Sequence, residues 1–133
     1  MAPGIYHLPI YCGTTLDAAA LHFVYAGPSG TRVDLTGYSA QAQARSEDGT
    51  LIFDLRSADG GIVLSGAEGS ISLRLSAAQT AALWRPGLAP YSGNRSADLY
   101  VAGRWDMELT DPAGRVLRLL QGKLLLSPEV THA

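Results

Sequence analysis

The side chains able to do chemistry are few and scattered. The histidines are His7, His22 and His132, and Cys12 is the single thiol. Zinc takes such ligands in tight clusters. His7, Cys12 and His22 lack the spacing of a helical or looped metal motif and meet only if three strands converge. No metal and no cofactor is expected. Asp106 and Glu108, two positions apart, share one face of a strand. A glycosidase sets two carboxylates across a cleft. Here Arg118 and Lys123 are the expected partners, which makes a solvated, charge-paired surface. Ser29, in Gly27-Pro28-Ser29-Gly30, lacks the strand-to-helix elbow that exposes a nucleophile. Gly66-Ala67-Glu68-Gly69-Ser70 lacks the Lys and the following helix of a phosphate loop. A lone cysteine excludes a disulfide within the chain. Its neighbours Tyr11 and Gly13 supply no base or cation to activate it. The expectation is a protein that is not an enzyme.

The aromatic residues point to binding instead. Trp84, Tyr91 and Tyr100 bracket the segment 84–96, WRPGLAPYSGNRS, whose Pro, Gly and Asn content marks an exposed loop. They either form a contact patch, for protein or for a stacked sugar, or pack beneath their own loop. Tyr6 and Leu8 lie in the extended segment 5–10, where Pro9 suits an edge strand. Tyr6, Leu8, Trp84, Tyr91 and Tyr100 are therefore the candidate interface residues.

The elements that position these groups read as strands. Trp105, Met107 and Leu109 alternate with Asp106, Glu108 and Thr110, the period of a half-buried strand. Asp111-Pro112-Ala113-Gly114 fits a type I turn with a left-handed exit, a common hairpin connection. In the strand that follows, Leu117 and Leu119 fall on one phase and Leu124 and Leu126 on the other. A bulge at Gln121-Gly122 would bring all of them to the core and turn Arg118 and Lys123 outward. Upstream, Tyr38, Ala40, Ala42 and Ala44 alternate with Ser39, Gln41, Gln43 and Arg45, and Leu51, Phe53 and Leu55 with Ile52 and Asp54. Residues 16–25 are expected as a strand with a bulge at the alanines, a short helix over 17–21 being the competing reading. Ser76 with Gln79 three residues on predicts a capping box and one or two helical turns. About eight short strands with turns between them predict a β-sandwich.

Composition sets the outer bounds. A chain of 133 residues with 10 basic and 12 acidic side chains fits one domain. It gives no sign of a nucleic-acid groove or an anionic membrane surface. The start MAPGIYHLPI lacks a basic region and a long apolar run, so no secretory signal is expected. No stretch approaches a membrane span of about 20 apolar residues. Asn94-Arg95-Ser96 matches a glycosylation sequon, read as chance without a secretory route.

In order and spacing, VDLTGYSAQAQAR, GTLIFDL, GSISLRLSAAQTAAL and WDMELTDPAGRVLRLLQGKLLLSPEVT resemble a family of small phage tail and prophage proteins. The chain is similar, from about Gly13 to Thr131, to the N-terminal domain of siphophage baseplate upper proteins. The resemblance implies an all-β, immunoglobulin-like antiparallel β-sandwich with one short helix. It implies a virion part of the tail tip or baseplate, made in the bacterial host cytoplasm and held in several symmetric copies by other tail proteins. It carries no catalytic residue. The alternative is a carbohydrate-binding module that adheres to host surface glycan through Trp84, Tyr91 and Tyr100.

Overall fold

The computed structural model describes residues 2–91 and 98–130. The strands are β1 (Gly4–Ile5), β2 (Leu8–Tyr11), β3 (Phe23–Val24), β4 (Ser39–Arg45), β5 (Leu51–Arg56), β6 (Ile62–Ser65), β7 (Ser70–Leu73), β8 (Ala89–Pro90), β9 (Tyr100–Thr110) and β10 (Val116–Ser127). One short helix, α1 (Ala77–Ala81), follows β7. A seven-stranded sheet runs in the order β1-β10-β9-β4-β5, with β2 also on β10 and β8 also on β9. A three-stranded sheet runs β3-β7-β6. The expected all-β sandwich is thus the fold. One core cluster unites Ala40, Ala42, Ala44, Phe53, Met107 and Leu109 of the first sheet with Ile62, Ile71 and Leu73 of the second. The alanines of β4 carry the small side chains that let the second sheet close over them.

The longest pairing, β9 with β10, is the expected hairpin. The Asp111 carboxylate accepts from Ala113 N–H at 3.0 Å and Arg115 N–H at 2.9 Å, and Gly114 takes φ 90°. Helix α1 starts as expected too. Ser76 Oγ accepts from Gln79 N–H, and Gln79 Oε1 accepts from Ser76 N–H. On its buried side, Thr80 Oγ1 accepts from Gly13 N–H at 3.0 Å and donates to the Thr14 carbonyl at 2.7 Å. A single buried hydroxyl therefore ties the helix to the turn after β2.

Three sequence expectations are corrected. Residues 16–25 do not form one strand. Leu16 makes an isolated bridge to Leu75, and only Phe23–Val24 pairs as β3. Between them the Asp17 carboxylate accepts from Ala19 N–H, and the Asp17 carbonyl accepts from Leu21 N–H at 3.0 Å. That local turn satisfies the backbone without a partner strand. The alternation of Leu21, Phe23 and Tyr25 still holds, since these three pack on the core while His22 and Val24 are exposed.

The bulge of β10 exists but sits earlier, at Leu119-Leu120 rather than Gln121-Gly122. Arg118 pairs with Glu108 and Leu120 with Met107, so one extra residue is absorbed there. Both leucines pack on the core, as expected where two residues oppose one.

The N-terminal segment is an edge, as Pro9 suggested, but β1 and β2 run parallel to β10 while every other strand pair in the two sheets is antiparallel. Leu8 and Ile10 are buried there against the last strand. Leu8, at 0 % exposed, is core and not interface.

The turn between β4 and β5 carries a titratable signature. Asp48 accepts from Ser46 Oγ and, at 3.0 Å, from Thr50 N–H. These bonds, the Ser46 hydroxyl first, hold its carboxyl down from 3.8 to about 2. A group whose folded value is depressed stabilises the fold above its unfolded value and loses that contribution as pH falls through the folded one. The turn should therefore be fully stabilised above about pH 4 and weaken towards pH 2. Carbon-detected NMR titration of Asp48 is expected to give a midpoint near 2 that rises in Ser46→Ala. A wild-type midpoint at the ordinary aspartate value refutes the capping role.

Candidate functional site

Between β1 and β2 the chain leaves the regular ladder at Tyr6 and His7. The Tyr6 carbonyl crosses over Gly122, where a Cβ would stand 2.2 Å from it. Gly122 pairs with Trp105, whose indole N–H donates to that same Tyr6 carbonyl at 2.7 Å. The Tyr6 ring then meets Phe23 edge-on at 5.2 Å and Trp105 at 6.5 Å, while Phe23 stacks on Trp105 at 6.2 Å. Burial, and then the charge of Tyr11, push the Tyr6 hydroxyl above its ordinary value. Tyr6, partly buried, thus packs in an aromatic cluster.

His7 is fixed by the same crossing. Its Nδ1 accepts from Lys123 N–H at 3.0 Å, which leaves the ring proton on Nε2. Cys12 is buried after β2, and burial pushes its thiol up, with the Glu129 carboxylate adding to the rise. Among the described residues no group of three or more His, Cys, Asp or Glu is placed to hold a metal ion.

The outer face of the large sheet is ordered in cross-strand rows. At one end Gln41, Glu108 and Arg118 stand opposite one another on β4, β9 and β10. The next row is Gln43, Asp106 and Gln121. The third is Arg45, Arg104 and Lys123. The expected pairing of the acidic face is therefore half right. Arg118 faces Glu108 and reaches Asp106 at 3.7 Å, but Lys123 faces a cation. The bulge is the cause. Were Leu119 paired with Met107 in continuous register, Lys123 would fall opposite Gly103 on the inward phase.

These rows line a concavity of about 430 Å³, with Ile5, His7, Arg45, Arg104, Asp106 and Lys123 among its walls. Arg45 donates to the Gly49 carbonyl at 3.0 Å, which holds its guanidinium at the rim. Lys123 Nζ lies 5.5 Å from the centre of the Tyr91 ring, and His7 meets that ring at 6.0 Å. Gly103 keeps the third row tight, since a Cβ there would stand 2.0 Å from the Arg45 carbonyl.

The three loop aromatics do not form one platform. Trp84 meets Tyr100 edge-on at 5.3 Å and packs on the core, whereas Tyr91 stands with His7 and Lys123. The sequon at Asn94, the residues 92–97 of the irregular segment and His132 lie outside the described residues. No protein-family model and no curated protein matches this chain.

A second cleft of about 610 Å³ has Asp17, Asp54, Asp59 and Arg74 among its walls. Asp54 is committed there to Arg56 at 3.0 Å, and that guanidinium, then Gln41, holds its carboxyl low. No helix among the described residues is long and apolar enough to cross a membrane.

What sequence reasoning missed was the cationic row. Its members come from three separate strands, and only the register brings them together. The signal that was present is the pair of Gly-cation steps, Gly103-Arg104 and Gly122-Lys123. Each places a charge beside a point of close backbone approach.

Proposed function

We propose that this protein is a non-enzymatic structural component that works by protein–protein contact, as a part of a phage tail tip or baseplate present in several copies. The observation that carries the reading is the placement of exposed apolar side chains. Ile5, 66 % exposed, lies on β1 and Tyr11 on β2, both at one edge of the large sheet. Leu51 lies on β5, at the opposite edge. Val24 and Val63 lie on β3 and β6, the two edges of the small sheet. Proteins that stay apart guard such edges with charge, bulges or proline. An apolar side chain beside unpaired backbone groups is what an added strand from a partner uses. The phage assignment rests on the resemblance of the strand segments and the LSAAQTAAL helix to the tail-protein family.

Immunogold electron microscopy of phage particles from the source strain, with antibody to the recombinant chain, tests the assignment. Gold at the distal tail supports it. Gold on the head or neck moves the protein within the virion. Bare particles, with the protein free in the lysate, overturn the virion role. An Ile5→Lys, Val63→Lys double variant is expected to keep its unfolding midpoint within about 4 °C yet be excluded from particles. Normal incorporation would remove the edges as the contact.

A further inference from the structure

We propose that the outer face of the large sheet holds a binding site for a small polyanion, a ligand with two or more carboxylate, phosphate or sulfate groups, centred on Arg45, Arg104 and Lys123. The proposal goes beyond the contact role and does not depend on it. Three adjacent strands place these cations directly opposite one another. Like charges so placed destabilise a sheet. The same face shows the compensated alternative, with Glu108 opposite Arg118. The third row therefore costs stability that a carboxylate at any of its positions would remove.

The backbone around the row is closely packed. Gly103 and Gly122 let backbone cross on either side of it, with no room for a Cβ at either point. The Tyr91 ring and the Gly49 carbonyl fix the Lys123 and Arg45 head groups. Stability given up on a preorganised frame is the usual mark of a binding function.

The size and lining select the ligand. Strands stand about 4.8 Å apart, so the row extends about 10 Å. One oxyanion cannot engage both ends, whereas two joined oxyanions do. The concavity of about 430 Å³ is of small-molecule size. The one carboxylate in the concavity among the described residues, Asp106, belongs to the adjacent row and lies 3.7 Å from Arg118. Gln43 and Gln121 stand in the adjacent row and offer neutral donors to the ligand's remaining oxygens.

Isothermal titration of the whole chain in about 20 mM NaCl, where screening is weak, tests this with pyrophosphate, citrate and inorganic phosphate. Saturable one-to-one binding of pyrophosphate or citrate, at least about tenfold tighter than phosphate, is expected. Pyrophosphate alone would assign a phosphorylated ligand, citrate alone a polycarboxylate, and both a general oxyanion site. Arg104→Gln is expected to weaken binding about tenfold or more. It should also raise the unfolding midpoint of the free protein by about 1–4 °C, because a like-charge contact is lost. A purely structural Arg104 would lower that midpoint. Arg74→Gln, in the other cleft, should leave binding unchanged. The proposal is overturned by absence of binding to both polyanions, by wild-type affinity in Arg104→Gln, by a lowered midpoint in that variant, or by equal weakening in Arg74→Gln.

Discussion

Trp105→Ala is expected to remove about 3–5 kcal/mol of folding stability, the largest loss from any single side chain described. Trp105 is 2 % exposed and sits at the junction of three elements. Its ring stacks on Phe23 of the small sheet and meets Tyr6 of the N-terminal edge. Its N–H caps the Tyr6 carbonyl. Truncation opens a cavity among aromatic neighbours and leaves that carbonyl without its donor. Trp105→Phe separates the two effects. It keeps a ring for Phe23 but not the N–H, and should cost about 1–3 kcal/mol, the usual penalty for a stranded buried polar group. Urea denaturation of both variants gives the comparison. A Trp105→Ala midpoint close to wild type would mean that the cluster does not tie the edge to the core.

The second large effect is at Leu124. Leu124→Ala should cost about 2–5 kcal/mol, and Leu119→Ala about 1–2 kcal/mol. Both face the core side, but by different means. Leu124 is 0 % exposed, paired with Gly103 on one flank and with Leu8 on the other. Leu119 is the extra residue of the bulge, half-buried and without a register partner on β9. The sequence pattern alone assigns the two leucines equal weight, since either phase of the strand can be the inner one. Denaturation midpoints that fall equally in both variants would contradict the bulge position.

Most of the fold was legible because its signals are local. The Asp111 turn, the Ser76 capping box and the alternation of β4, β5 and β9 each depend on residues a few positions apart. The reading of residues 16–25 failed for a related reason. Aliphatic and aromatic residues there indicate strand, yet Asp17 bonds its own neighbours and closes a turn first. Leu8 departs from its expected place in the interface because the parallel partner β10 buries an edge strand that Pro9 marks as exposed. The cationic row was beyond sequence reasoning altogether. It needs the exact offset between β9 and β10, and one inserted leucine sets that offset.

The parallel pairing of β2 with β10 also fixes an order of events. Leu8 and Ile10 find their backbone partners only in the stretch Leu124 to Ser127. While the chain is being made, these two core side chains wait in water until nearly every other strand exists. Closing so long a loop is entropically slow, and contacts of such separation lower folding rates. Until closure, β10 presents an open apolar edge to any neighbouring chain, the state most prone to misassembly. Strands β1 and β2 are thus among the last of the sheet to pair, and the seam they complete joins them to β10.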